Sequence, residues 1–454
     1  MSAPSDPSGL GSARRAGART SRLRRLLALA LAVALAAAVV PAGAQAPGGV
    51  RRERLPNGVT LLVRENPGAP VVAVSLLVRM GTRWETAENA GITNFVHAAM
   101  VKGTARRSGG DLADAIGALG GKISASGEVD YSQVQATALA RFWRELLGLV
   151  AELALEPRLA PAEVDREREE LLARVQLRDD NPSAHAFDVF YATVFGPHPY
   201  GLPLLGTRES LGRIDAAAIA AWYRRAYEPE RLVLAVSGQV RADEVLAEAQ
   251  RLFGSRPAGP GATEPAPPRA AATGRRVVVR QPAQQAQILI GALAPPLDHG
   301  DHAAVKVLST VLGGGMAGRL FSELRDRQAL AYTAAAYYDP VREPGVLVLY
   351  LGTAPDNAAR AEQALVQEVE RIRTTAVSPD ELARAKGYLL GNYAMDRRTN
   401  ARQAWYLAFY EVEGAGEGFP ERYRAGIERV SADDVLRVAR TYLGTPITVV
   451  LLPR

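Results

Sequence analysis

Cysteine is absent from all 454 residues, so no disulfide, thiolate metal site or cysteine nucleophile is available in any compartment. No Ser or Thr sits in a nucleophile motif either, which leaves a hydrolase of the acyl-enzyme type without a starting group. The triplet Gly313-Gly314-Gly315 is not followed by Lys-Ser/Thr, so it is not a phosphate-cradling loop. The uncharged run Leu26 to Val40 is short for a membrane span and is closed by Pro41 and Gly43.

Excess charge of one sign is also missing once the N-terminus is set aside. The chain carries a formal +6, but residues 1–44 hold Arg14, Arg15, Arg19, Arg22, Arg24 and Arg25 against the single acid Asp6. That basic stretch, the apolar run behind it and the small residues Ala42-Gly43-Ala44 read as an export signal, cleaved after Ala44 or Ala46. The remainder is close to neutral, so a nucleic-acid partner has no electrostatic motive. The expectation is an exported, periplasmic protein with no stable membrane span after cleavage. With 48% apolar and 22% charged residues, the rest suits two or three globular domains.

Val50 to Leu55 and Val59 to Arg64 flank Pro56-Asn57-Gly58, where Asn-Gly predicts a two-residue hairpin turn. Val71 to Val78 is a short, β-branched apolar run, the pattern of a strand buried on both faces. Lys122 to Ala138 alternates as paired strands do. Phe142 to Leu155, Pro161 to Gln176 and Ala216 to Tyr227 show helical spacing, and Leu232 to Gly238 reads as a buried strand. The proline-rich stretch 255–274 reads as a linker between domains 45–254 and 275–454. A repeat supports that division: Pro161-Ala162-Glu163-Val164 matches Pro379-Asp380-Glu381-Leu382, and Leu171-Leu172 matches Leu389-Leu390, at one offset of 218.

The stretch Gly91-Ile92-Thr93-Asn94-Phe95-Val96-His97-Ala98-Ala99-Met100-Val101-Lys102-Gly103-Thr104 resembles the signature helix of the pitrilysin/insulinase family of zinc peptidases. Its motif is His-x-x-Glu-His within G-x-x-H-F-x-E-H-M-x-x-K-G-T. Here the two ligand histidines fall on Asn94 and Ala98, and the glutamate on His97. The third ligand, a Glu in the pattern E-R-x-V-x-x-x-E, falls on Arg174 of Glu167-Arg168-Glu169-Glu170-Leu171-Leu172-Ala173-Arg174. A guanidinium is never deprotonated and repels a dication. The resemblance thus implies a degenerate zinc site with no metal bound by this chain, and His97 as a hydrogen-bonded residue at the floor of a groove.

The same resemblance implies an α+β fold of two homologous domains, each a mostly antiparallel sheet packed with helices, forming half of a clam-shell. It implies an edge strand that takes an extended peptide substrate at Ser124 and Ala125 in Gly120-Gly121-Lys122-Ile123-Ser124-Ala125. Ser124 stands where the family usually has Asn. Phe195-Gly196-Pro197-His198-Pro199-Tyr200-Gly201 is similar to the family's H-P-Y-G loop and reads as a structural turn. Gly313 to Tyr332 is similar to the second-domain stretch whose last Arg and Tyr, here Arg325 and Tyr332, reach a zinc site across the cavity. A permanent cation and a phenol there could stabilise charge developing on a scissile carbonyl. The acids of Asp298-His299-Gly300-Asp301-His302 fit helix N-capping better than metal binding.

The expectation is accordingly a zinc-less subunit that pairs with a homologous zinc-bearing subunit and contributes to peptide hydrolysis. A peptide-binding or assembly protein without proteolysis is one alternative, and a zinc-independent hydrolase another.

Overall fold

The computed structural model describes residues 49–259, 264–267 and 273–454. The proposed signal, residues 1–44, lies outside the described residues, as do parts of the linker. Two sheets are built on one plan. The first holds β1 (Val50–Arg54), β2 (Thr60–Glu65), β3 (Val71–Val78), β4 (Lys122–Gly127), β5 (Ser132–Leu139) and β6 (Leu232–Gly238), in the order β1-β2-β6-β3-β5-β4. The second holds β7 (Arg276–Gln281), β8 (Ala286–Ala294), β9 (Thr333–Asp339), β10 (Gly345–Thr353) and β11 (Ile447–Pro453), in the order β7-β11-β8-β10-β9.

Without β1 the two orders correspond strand for strand. In each half an opening strand, β2 or β7, runs parallel to the closing strand, β6 or β11. All other neighbours are antiparallel. A parallel pair needs a long crossover, and the intervening helices and strands supply it. The repeat seen in the residues is therefore a repeat of topology, and the fold is α+β with two homologous halves.

Strands buried from both sides lie inside the sheets. β6 is buried along its whole length, and β3 from Val72 onward, because continuous apolar runs need cover on both faces. One face of the first sheet meets a core containing Phe95, Leu146, Ile219, Tyr227 and Phe253. Its other face is covered by a helix of the second half, Asn400–Val412, whose Ala404, Ala408 and Val412 pack on Leu62, Ala73, Leu77, Val233 and Ala235. The reverse also holds. Helix Pro182–Phe195 of the first half lays Ala186, Phe190 and Val194 on Leu289, Val346, Val348, Val449 and Leu451 of the second sheet. A Cβ on Gly291 would come within 2.8 Å of the Phe190 ring, so glycine there lets the helix approach. Each half thus lends one helix to the other.

Charged groups reinforce the junction. Arg83, 2% exposed, faces Asp130 at 3.7 Å and Glu343 at 3.2 Å. Asp130 also accepts from the Tyr200 hydroxyl at 2.6 Å and from the Arg342 N–H at 3.0 Å.

Two local expectations are corrected. The first hairpin closes on Leu55 and Val59, with the Leu55 N–H bonded to the Val59 carbonyl at 2.8 Å, so three residues form its loop and Gly58 takes φ +99°. Asn57 is drawn inward, its amide donating to the carbonyls of Phe253 at 2.8 Å and Arg256 at 3.0 Å, which favours the wider loop. Asp301 stands before helix His302–Gly313 but does not cap it with its carboxylate, which pairs with Arg437 at 2.7 Å and Tyr442 at 2.9 Å.

Candidate functional site

Helix Ile92–Met100 has no Ser, Thr, Asp or Asn at its N-cap, which is Gly91 in a left-handed conformation. Its cap comes instead from Glu85. One carboxylate oxygen accepts the Gly91 N–H at 2.8 Å and the other the Thr93 N–H at 2.9 Å. These satisfy donors that a helix start leaves unpaired. Burial pushes the Glu85 carboxyl up to about 7, against the pull of those hydrogen bonds. No local motif announces Glu85, so sequence reasoning missed it.

The helix turns two faces to different surroundings. His97 looks into the core and is 1% exposed, so it lies within the packed interior and not at the floor of an open groove. Its Nδ1 lies 2.6 Å from the Thr93 carbonyl, which can only accept. Nδ1 therefore carries the proton, and Nε2 accepts from the Tyr227 hydroxyl at 2.9 Å. Burial holds this imidazole down at about 4.

Asn94 and Ala98, one turn apart, share the half-exposed face. Asn94 is fully engaged: its Oδ1 accepts the Gly127 N–H at 3.0 Å, and its Nδ2 donates to the carbonyls of Gly127 at 3.1 Å and Leu204 at 2.9 Å.

Helix Pro161–Asp179 packs alongside. Glu167, 2% exposed, binds Lys102 at 2.5 Å, while the Arg168 guanidinium lies 5.3 Å over the Phe95 ring and donates to the Ile214 carbonyl at 2.6 Å. Those frame residues hold the two helices in register. Arg174 is exposed and lies 3.6 Å from Glu170.

These side chains do not fit a catalytic zinc ion. Such a site needs three donors around an open position. Ala98 offers none, Arg174 is a permanent cation, the Asn94 amide is already bonded on both atoms, and both His97 nitrogens are engaged.

Ser124 and Ala125 lie on β4, the outermost strand of the first sheet. Antiparallel pairing alternates main-chain groups toward and away from the neighbour. Gly127 turns its N–H and carbonyl outward to Asn94, so Ala125 and Ile123 turn theirs outward as well. Ser124 bonds inward to β5 and presents an exposed side chain. The edge is thus open along Ile123 to Ala125 and clamped at Gly127. The loop with His198 forms a short turn, Pro199–Gly201, with Tyr200 packed.

In the second half Arg325 lies in Leu320–Arg327, a helical segment wound in the wide π manner. Ala329 follows at φ +51°, a conformation unfavourable for a residue with a Cβ. The Arg325 guanidinium sits 4.4 Å over the Phe321 ring and 5.4 Å over that of Tyr332. Tyr332 is 75% exposed. Among the described residues neither the Arg325 nor the Tyr332 side chain has an ion pair or hydrogen bond.

Residues 60–208 match the family described as insulinase (peptidase family M16), and residues 213–389 match the peptidase M16 inactive domain. The second match begins before β6, a strand that the first sheet needs to close. An uncharacterized zinc protease of Mycobacterium tuberculosis is 30% identical over 406 residues, covering 89% of this chain and 92% of that one. One of Mycobacterium leprae is 33% identical, covering 76% and 78%. A peptidase M16 inactive domain from Pseudomonas fluorescens has a similar fold, with TM-score 0.84 at 20% identity over 89% of this chain and 98% of that one. A protease from Helicobacter pylori gives TM-score 0.84 at 22% identity over 89% and 100%. Both halves of the fold and relatives along nearly its whole described length place the chain in the M16 (insulinase) peptidase family.

Proposed function

We propose that the protein is a zinc-less M16 subunit that pairs with a zinc-bearing relative and lends Arg325 and Tyr332 to peptide hydrolysis at that relative's site. The observation that carries this reading is the contrast between two constellations. At the three ligand positions Asn94, Ala98 and Arg174 are committed to a structural clamp, inert, or positively charged. Tyr332 is presented to solvent and Arg325, half-buried, stacks beside it on a backbone that is costly to maintain, and strain of this kind concentrates where function requires it. Zinc is expected in the partner subunit. In this chain Arg325 holds a fixed charge against the Tyr332 ring, and the two can donate hydrogen bonds to an oxygen that becomes negative. The open edge of β4 supports a peptide ligand.

The test is co-purification from the native source, followed by reconstitution with any bound chain that carries His-x-x-Glu-His. Zinc and peptidase activity should belong to the pair and neither to this chain alone. Arg325→Ala should abolish cleavage without disturbing assembly; one tight zinc per chain in the isolated protein sinks the reading. The alternative of a homodimeric peptide-holding protein gives Arg325 no task, and predicts that Arg325→Ala changes nothing.

A further inference from the structure

Each half turns from one long helix into the helix that it lends. In the first half Pro161–Asp179 passes through Asp180 and Asn181 into Pro182–Phe195. In the second Pro379–Asp396 passes through Arg397, Arg398 and Thr399 into Asn400–Val412. The offset of 218 that relates the two halves in sequence holds at both tips. Asn181 and Thr399 are equivalent and act alike, accepting the N–H of Ala184 at 3.1 Å and of Arg402 at 3.2 Å to cap the second helix. Leu177 and Met395 are equivalent as well, and both stand out from the surface at 73% and 54% exposure.

The three residues between these matched pairs change sign. Arg178-Asp179-Asp180 in the first half answers to Asp396-Arg397-Arg398 in the second. The first of each three is neutralised within its own hairpin, Arg178 by Asp188 at 2.7 Å and Asp396 by Arg402 at 2.6 Å. The other four are left with neutral neighbours. Asp179 and Asp180 are exposed, and Asp180 accepts the Gln176 amide at 2.9 Å. Arg397 lies 4.4 Å over the Tyr393 ring, and Arg398 is exposed with its Nε on the Met395 carbonyl at 2.8 Å. Among the described residues none of the four has an ion pair, so the tips do not satisfy one another within one chain.

A surface that carries both a pattern and its complement fits another copy of itself. Because the halves lend their helices reciprocally, each tip stands to the chain as the other does. A second copy turned over can therefore bring acidic tip to basic tip twice, a contact that closes at two chains. Single exposed apolar residues are ordinary, but Leu177 and Met395 share one place in the repeat, beside charges of opposite sign.

We infer that the chain dimerises with a second copy of itself through these tips, Asp179 and Asp180 of each copy facing Arg397 and Arg398 of the other, with Leu177 against Met395. The inference goes beyond the pairing proposed above, since it concerns this chain alone and neither tip contains Arg325 or Tyr332. Two small contacts make a weak pair, roughly micromolar, whose strength depends on salt.

Sedimentation equilibrium of the full chain tests it. The protein should be dimeric in about 0.05 M salt and dissociate in about 0.5 M, where surface charges are screened. Asp180→Arg and Arg398→Asp, at equivalent exposed positions, should each raise the dissociation constant about tenfold, because one change weakens both contacts of a symmetric pair. An equimolar mixture of the two variants should regain most of the wild-type affinity, since one contact then joins the two altered tips, again opposite in sign at that position, and the other joins two unaltered ones. Circular dichroism verifies that both variants are folded before they are mixed. A wild-type chain that stays monomeric at about 0.1 mM in low salt overturns the inference. So does a dimer whose constant ignores salt or either variant, and so does a mixture no tighter than its parts. Whether a zinc-bearing relative co-purifies bears on the earlier reading and leaves this result as it is.

Discussion

Asn94 holds Gly127 by both of its main-chain polar groups, accepting the N–H at 3.0 Å and donating to the carbonyl at 3.1 Å. The position that resembles a zinc ligand thus anchors the edge strand to the helix. Asn94→Ala should lower stability by about 1–3 kcal/mol, the cost of leaving partly buried groups unsatisfied. Amide exchange should quicken in β4 and stay unchanged in β6. Asn94→His should show the same loss in urea unfolding and gain no zinc, since Ala98 and Arg174 remain; zinc binding by this single variant would contradict the account.

Glu85 and His97, on either side of Thr93, respond to pH in opposite directions. The Glu85 carboxyl is raised on folding from 4.5 to about 7, so it favours the fold below about 4.5 and that contribution is lost as pH rises through about 7. The His97 imidazole is lowered from 6.5 to about 4, so it favours the fold above about 6.5 and that contribution is lost as pH falls through about 4. The advantage of wild type over Glu85→Gln should shrink by on the order of 3 kcal/mol between pH 4 and 8. The advantage over His97→Gln should shrink by a similar amount from pH 7 down to 4. Urea midpoints across pH measure both, and slopes of the same sign would show that one group is not buried as described.

Tyr332 is exposed and Arg325 half-buried, and neither belongs to the packed core. Tyr332→Phe should leave stability within about 0.5 kcal/mol of wild type, as exposed substitutions usually do, and Arg325→Ala should lower it by no more than about 1 kcal/mol through the lost contact with the Phe321 and Tyr332 rings. In a reconstituted pair each should lower kcat by about 10²–10³, the loss expected when one donor to a developing oxyanion is removed. A variant that unfolds early, or one that leaves kcat untouched, rules out the assigned role for that residue.

Phe190 belongs by sequence to the first half and by packing to the second sheet. Phe190→Ala should cost about 3–5 kcal/mol, the usual loss for a buried phenylalanine. The two halves should still unfold in one calorimetric transition, because each covers a face of the other. Two separated transitions in the wild-type protein would mean that the lent helices contribute little.

Much of this was legible in the residues because it is local or carried by a specific frame. The β-branched run at Val71 to Val78, the helical spacing of Pro161 to Gln176 and the Arg-Tyr stretch are patterns of near neighbours. What the residues did not disclose depends on distant partners. Glu85 caps a helix from outside it, and Tyr227 meets His97 across 130 positions. Pro182–Phe195 and Asn400–Val412 bury surface against the opposite half, so neither shows the one-sided stripe of a helix lying on its own domain. Asn57-Gly58 looked like a tight turn because the two buried carbonyls that draw the Asn57 side chain inward lie nearly two hundred positions downstream.

The lent helices also bear on how the chain can be divided. A protease nick between Gly254 and Gly274 would sever the polypeptide and still leave two fragments interlocked, since each would carry the lid of its neighbour's sheet. Expressed from separate genes, the fragments should be insoluble alone and should recover the native assembly only when synthesised together.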